Sequence, residues 1–260
     1  MLYKGDIGLY LSGADVPVQQ CNVYIVQPTI KQIVQFGETN FLMASQLLGK
    51  TEEFLKEIKQ GNSELAQKTD FQILLIMIKE QVEVKQYLDT FFELICPDYI
   101  VKYTKHTMDF FLKENEEGSM TGQITPFTFE FFQEKIKELF ISQNETSEDY
   151  DPANEAAKEI AEKIKKGRRI VQEQRGIHDE AKEKISLFGT YASILSIGLQ
   201  MDINVFFNYT PFQIFDAFNR YWSKSKFDFY QKLVTTPFMD TSKMDEPEEW
   251  TRNLYKMDNT

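Results

Sequence analysis

Residues 209–233 read Tyr-Thr-Pro-Phe-Gln-Ile-Phe-Asp-Ala-Phe-Asn-Arg-Tyr-Trp-Ser-Lys-Ser-Lys-Phe-Asp-Phe-Tyr-Gln-Lys-Leu. This run carries the start signals of a helix. Thr210 is a good N-cap and Pro211 fits the first helical position, where no N–H is needed. Gln213, three residues after Thr210, completes a capping box, and Tyr209 and Ile214 flank it as a hydrophobic staple. Phe212, Phe215, Phe218, Trp222, Phe229 and Leu233 then recur at helical spacing, so one face is aromatic. A face that apolar has to be covered, by the chain itself or by a partner. Thr235-Thr236-Pro237 stops the helix.

The same grammar recurs upstream. Thr29 and Gln32 form a capping box after Pro28, and Gly37 is placed to end that helix in a left-handed turn. Phe41–Leu48 reads as a short helix closed by Gly49. Thr51-Glu52-Glu53 opens another, with Gly61 beyond it. Thr69 and Gln72 make a third box ahead of an apolar helix with Phe71, Leu74, Leu75 and Ile78. A helix with Val82, Tyr87, Phe91 and Leu94 stops before Pro97. Thr125-Pro126 starts a helix through Phe140.

Two stretches read as β. In residues 1–28, Ile7–Tyr10 and Asn22–Val26 are β-prone and separated by turn residues, which predicts an N-terminal hairpin. Alternation at Tyr99, Val101, Tyr103 and then Met108, Phe110, Leu112 predicts a second small hairpin over 99–113, with its turn at Thr104–Thr107. Glu114–Gly118 reads as a loop. The fold class expected is therefore mainly α with minor β. Gln143–Tyr150 is polar and acidic and reads as a linker between an N-terminal unit, 1–143, and a C-terminal helical unit, 151–260, which are free to pack as one. The second unit holds a charged helix from Asp151-Pro152 to about Arg175. It continues with a small-residue helix over Leu187–Leu199 suited to close contact, a short helix capped by Asp202, and the aromatic helix. Trp250 would anchor the tail.

Composition excludes several function classes. With 42% hydrophobic residues and 22 Phe, the chain has ample material for a core. Its formal net charge of −11 disfavours nucleic acid. The one basic run, Lys163–Arg169, reads as a solvated helix face paired with Glu159 and Glu162. No apolar run approaches the ~20 residues that span a bilayer, and residues 1–5 lack a signal-peptide pattern, so neither a membrane nor secretion is expected. Cys21 and Cys96 lie far apart and read as buried free thiols.

The sequence carries few signals of chemistry. There is no phosphate-binding glycine loop, no nucleophile elbow and no metalloprotease helix motif. Two histidines build no histidine-rich metal site. His106 reads as a solvated turn residue. His178-Asp179-Glu180 point in different directions on a helix, and carboxylate pairs such as Glu116-Glu117 have nothing near them to desolvate them. No catalytic residue, cofactor or metal is expected, and the chain reads as a non-enzyme. The aromatic helix itself has a plain reading, core packing. Its sharper reading is that part of the face docks a partner, with Phe212, Phe215, Trp222, Phe227, Phe229 and Tyr230 as candidates.

Two passages carry a resemblance. Residues 25–42 hold a Pro-Thr-hydrophobic helix start followed by Gly-Glu, with Thr29, Gln32 and Gly37. Residues 208–222 hold a Thr-x-x-Gln-hydrophobic-x-Asp-x-Phe-x-Arg helix, with Thr210, Gln213, Asp216, Phe218 and Arg220, and Trp250 follows. Together they resemble a family of tail-module proteins of tailed bacteriophages that infect Gram-positive hosts. The resemblance implies a tail assembly chaperone. Such a factor holds the tape-measure or tail tube protein soluble in the host cell cytoplasm, and a homo-oligomer is compatible with that role. A structural virion component, such as a tail or neck adaptor, is the alternative. A small host-directed effector or enzyme is a second one.

Overall fold

In the computed structural model the described residues are 7–52, 55–56, 59, 65, 67–113, 120–141 and 186–236. The elements run α1 Ile7–Ser12, β1 Val16–Val18, β2 Val23–Ile25, α2 Ile30–Phe36, α3 Glu38–Gly49, α4 Asp70–Glu80 and α5 Val82–Ile95. They continue with β3 Tyr99–Tyr103, β4 Met108–Leu112, β5 Met120–Ile124, α6 Phe129–Phe140, α7 Leu187–Leu199, α8 Ile203–Phe207 and α9 Pro211–Val234. Thr51, Glu52, Leu55, Lys56, Lys59 and Leu65 are also helical. The architecture is mainly helical with two small antiparallel sheets.

α4 buries what its periodicity predicts, whereas α5 leaves the expected Val82 71% exposed and Tyr87 only half-buried and turns a neighbouring stripe inward. Leu88, Phe91, Phe92 and Ile95 line one side of α5, and Phe71, Leu74, Leu75 and Ile78 one side of α4. Phe41 of α3 is the hub. Its ring centroid lies 5.1 Å from Phe91, 5.4 Å from Phe140 and 6.4 Å from Phe188. One side chain thus joins α5, α6 and α7 at the separations aromatic pairs favour. A single buried cluster runs from Tyr10 through Phe41 to Phe188 and Phe215.

All three capping boxes form, at Thr29/Gln32, Thr69/Gln72 and Thr210/Gln213. In the first, Gln32 N–H donates to Thr29 Oγ1 at 3.3 Å and Thr29 N–H donates to Gln32 Oε1 at 2.8 Å. Gly37 follows α2 with φ +110° and ψ 98°, a positive φ outside the left-handed helical region. It serves both as the end of α2 and as the N-cap of α3.

Several further expectations are corrected. Ile7–Tyr10 is helix, not strand, because a helical turn drops Tyr10 into the core beside Phe212, centroids 5.2 Å apart. The hairpin uses β1 and β2 alone, in register from Val16↔Ile25 to Val18↔Val23. Gly49 lies inside α3, which Lys50 caps. Pro126 does not open α6: Thr125 N–H donates to Thr128 Oγ1 at 2.9 Å, which makes residues 125–128 a side-chain-closed turn ahead of Phe129. The second hairpin gains a third strand, giving the order β3-β4-β5.

That third strand, β5, lies against the first hairpin. A Cβ on Gly122 would sit 2.6 Å from Asn22 O and 2.8 Å from Cys21 O, so only glycine lets these backbones meet. Asn22 itself is left-handed, φ 52°, and its side-chain amide donates to Thr121 O. The expected linker 143–150, the charged helix 151–175, His178 and Trp250 lie outside the described residues.

Candidate partner-docking face

Helix α9 is fixed firmly at its N-terminal end. Thr210 is buried, and Gln213 N–H donates to its hydroxyl at 3.3 Å. Gln213 Nε2 also donates to Leu11 O at 2.7 Å, tying the box to α1. Ile30 N–H donates to Tyr209 O at 2.8 Å, so the start of α2 is held by the residue before the cap.

Aromatic contacts carry the next two turns. Phe212 and Phe215 belong to the core. Phe215 has its ring 5.9 Å from Phe188 and 5.6 Å from Tyr191, and Tyr191 lies 4.6 Å from Phe218. Asp216, nearly buried, accepts from Arg220 Nε at 3.0 and 3.2 Å one turn along. Tyr221 then closes over Gly198 of α7, where a Cβ would collide with its ring. Gly198, one of the small residues of α7, thus gives the close helix contact that the sequence predicts.

Beyond Tyr221 the situation changes. α7 ends at Leu199, whereas α9 continues to Val234. From Trp222 on, every hydrogen bond, ion pair and ring contact of α9 to a described residue is internal to it. The aromatic stripe runs on regardless. Phe215 is 7% exposed, whereas Trp222 is 52% and Phe229 61% exposed. Phe227, Tyr230 and Leu233 are half-buried. Of the six candidate aromatics, Phe212 and Phe215 are therefore interior, while Trp222, Phe227, Phe229 and Tyr230 lie on the overhanging half.

Sequence reasoning missed one neighbour of this face. Ile197 of α7, beside Gly198, is 78% exposed, and Leu199 and Met201 are exposed as well. The signal was present: Ile194 and Ile197 fall outside the helical stripe Phe188, Ala192 and Leu195 that α7 buries.

Away from α9, one polar network ties two helices together. Tyr10 Oη donates to Glu138 Oε2 at 2.5 Å, and Lys135 Nζ donates to both, at 2.7 Å each, a satisfied buried network between α1 and α6. A cleft is lined by Asp15, Tyr24, Cys96, Asp98 and Tyr99. Burial pushes the Cys96 thiol far above its ordinary range, with Asp98 adding to the shift, so it is held protonated. Among the described residues no group of His, Cys, Asp and Glu is placed to hold a metal, and no helix is long and apolar enough to cross a membrane. His106 is exposed in the β3–β4 turn. No protein-family model, curated protein or solved structure matches the chain.

Proposed function

We propose that the chain is a non-enzymatic morphogenesis factor of a tailed bacteriophage, a tail assembly chaperone that holds the tape-measure or tail tube protein through the C-terminal half of α9. One observation carries the reading. An aromatic stripe that is buried at Phe215 runs on, at helical spacing, into exposed Trp222 and Phe229. Exposed large aromatics on a rigid helix are efficient anchors, because they bury much area at little cost in conformational entropy. The acidic balance of the chain, −11, suits a factor that keeps an apolar client in solution. The phage assignment rests on the two quoted passages, around Thr29 and around Thr210. A chaperone of this kind acts in the host cytoplasm and leaves before the particle is finished.

Co-expression tests it. The tape-measure or tube protein should be recovered soluble in complex with the chain, and Trp222→Ala with Phe229→Ala should abolish that complex. Stoichiometric copies of the chain in purified particles, found by mass spectrometry, would overturn the chaperone role.

A further inference from the structure

We infer that the segment covering the C-terminal half of α9 is an acidic amphipathic helix of another protein. The inference rests on the docking reading above and adds the chemistry of the occupant. Trp222, Lys226, Phe229 and Leu233 are spaced i, i+4, i+7 and i+11, so they line one stripe about 16 Å long at ~1.5 Å per residue. Within it, Lys226 Nζ stands 5.4 Å from the Trp222 ring centroid. An occupant that buries Trp222 therefore also buries that ammonium. Taking a charge out of water is costly unless a partner charge meets it.

The rest of the overhang has the same sign. From residue 222 to 236 three lysines stand against Asp228, a local balance of +2 on a chain of −11. Lys224 pairs with Asp228 at 2.6 Å, but Lys226 and Lys232 pair with no carboxylate among the described residues. A second copy docking through this same stripe would set lysines against lysines, which disfavours self-association. Among the described residues this half of α9 has no strand beside it for an extended peptide to pair with, so recognition falls to side chains at helical spacing. The complementary segment has apolar residues at i, i+3, i+4 and i+7, with Asp or Glu on both flanks.

A displayed library of helical peptides, roughly 16 residues long and four to five turns, with the apolar stripe fixed and all other positions random, is panned against the full-length chain. Carboxylates should be enriched beside the stripe. Binding should weaken steeply with salt, and Lys226→Glu with Lys232→Glu should lose about tenfold in affinity or more. Trp222 emission, read as the difference between the wild-type chain and Trp222→Phe, should shift to the blue on binding. Enrichment of neutral or basic peptides, or full binding by the double glutamate variant, would overturn the acidic occupant while leaving a Trp222-dependent dock intact. Binding that ignores Trp222→Ala overturns the dock itself. The acidic helix is equally overturned by a Trp222 already shielded from acrylamide in the free chain. A concentration-dependent dimer that buries Trp222, or phosphatidylserine vesicles producing the same blue shift, also overturns it.

Discussion

Glu38 caps a helix that begins far along the chain. Ser186 Oγ donates to its carboxylate at 2.5 Å across a separation of 148 residues, and Phe188 N–H donates to it at 3.0 Å. Ser186 meanwhile accepts from Gly189 N–H at 2.8 Å as the N-cap of α7. A carboxylate at a helix N-terminus satisfies an orphan N–H and complements the helix dipole. The contact also sets where α7 starts, and hence where α9, packed on α7, is held.

Removing that carboxylate should loosen the C-terminal helices. Glu38→Ala is expected to cost about 1–2 kcal/mol, the range for a cap and a charged hydrogen bond. The urea midpoint measures it, and hydrogen exchange should place the lost protection in the first turn of α7. An unchanged midpoint would mean that the aromatic contacts of Phe188 alone position this helix.

Gly122 makes a sharper case. Any side chain there meets two backbone carbonyls as well as a Val23 methyl, and the carbonyls do not yield as a side-chain end does. Gly122→Ala should destabilise by about 1–3 kcal/mol, as overpacking does. The damage should appear where β5 lies against the Cys21–Val23 segment. Amide exchange that is no faster in β4 and β5 would show the two backbones to be more compliant than their separation implies.

Most of the helical scaffold was legible because its signals are local. A threonine and a glutamine three apart, followed by apolar residues at helical spacing, need no tertiary context, and all three such boxes form. What failed depends on contacts distant in sequence. Met120–Ile124 holds a glycine and a glutamine and carries no strand pattern; it is a strand because β4 pairs with it and Gly122 admits Asn22. Ile7–Tyr10 looks β-prone, but the demand to bury Tyr10 between Phe212 and Glu138 outweighs propensity. The candidate face was half legible. Periodicity lists every aromatic of α9 but does not say where α7 stops, and that end divides core from surface.

Alkaline pH should weaken the fold through groups it keeps neutral. Burial raises the Cys96 thiol above its ordinary 9.0. It also raises the Tyr103 hydroxyl above its ordinary 10.0, helped by the Asp89 carboxylate that accepts from it at 2.9 Å. Below pH 9 both the folded and the unfolded chain hold these protons, and stability is unaffected by them. As pH rises past 9 and then 10, the unfolded chain releases protons that the fold retains, so stability falls by at most about 1.4 kcal/mol per pH unit for each group. Urea midpoints should be flat near neutrality and decline above about pH 9. Tyr103→Phe should lessen the decline above pH 10; a variant as alkali-sensitive as the wild type would remove Tyr103 from the explanation. Native Cys96 should also resist iodoacetamide near neutral pH.

Two aromatics of the same helix should answer differently to truncation. Phe215 is enclosed by Phe188 and Tyr191, so Phe215→Ala leaves a cavity and should cost about 3–5 kcal/mol. Phe229, 61% exposed, gives up little on truncation, and Phe229→Ala should change stability by no more than about 0.5 kcal/mol. Trp222→Ala, at 52% exposure, should behave nearly as mildly. If the overhang serves only the fold, the exposed pair will destabilise like the buried one and no binding partner will notice its loss. If it is a docking face, the order reverses in a pull-down: Phe229→Ala and Trp222→Ala remain folded but release the client. Measuring midpoint and client retention on the same three variants separates the cases, because a stability defect and a binding defect then fall on opposite sides of Tyr221.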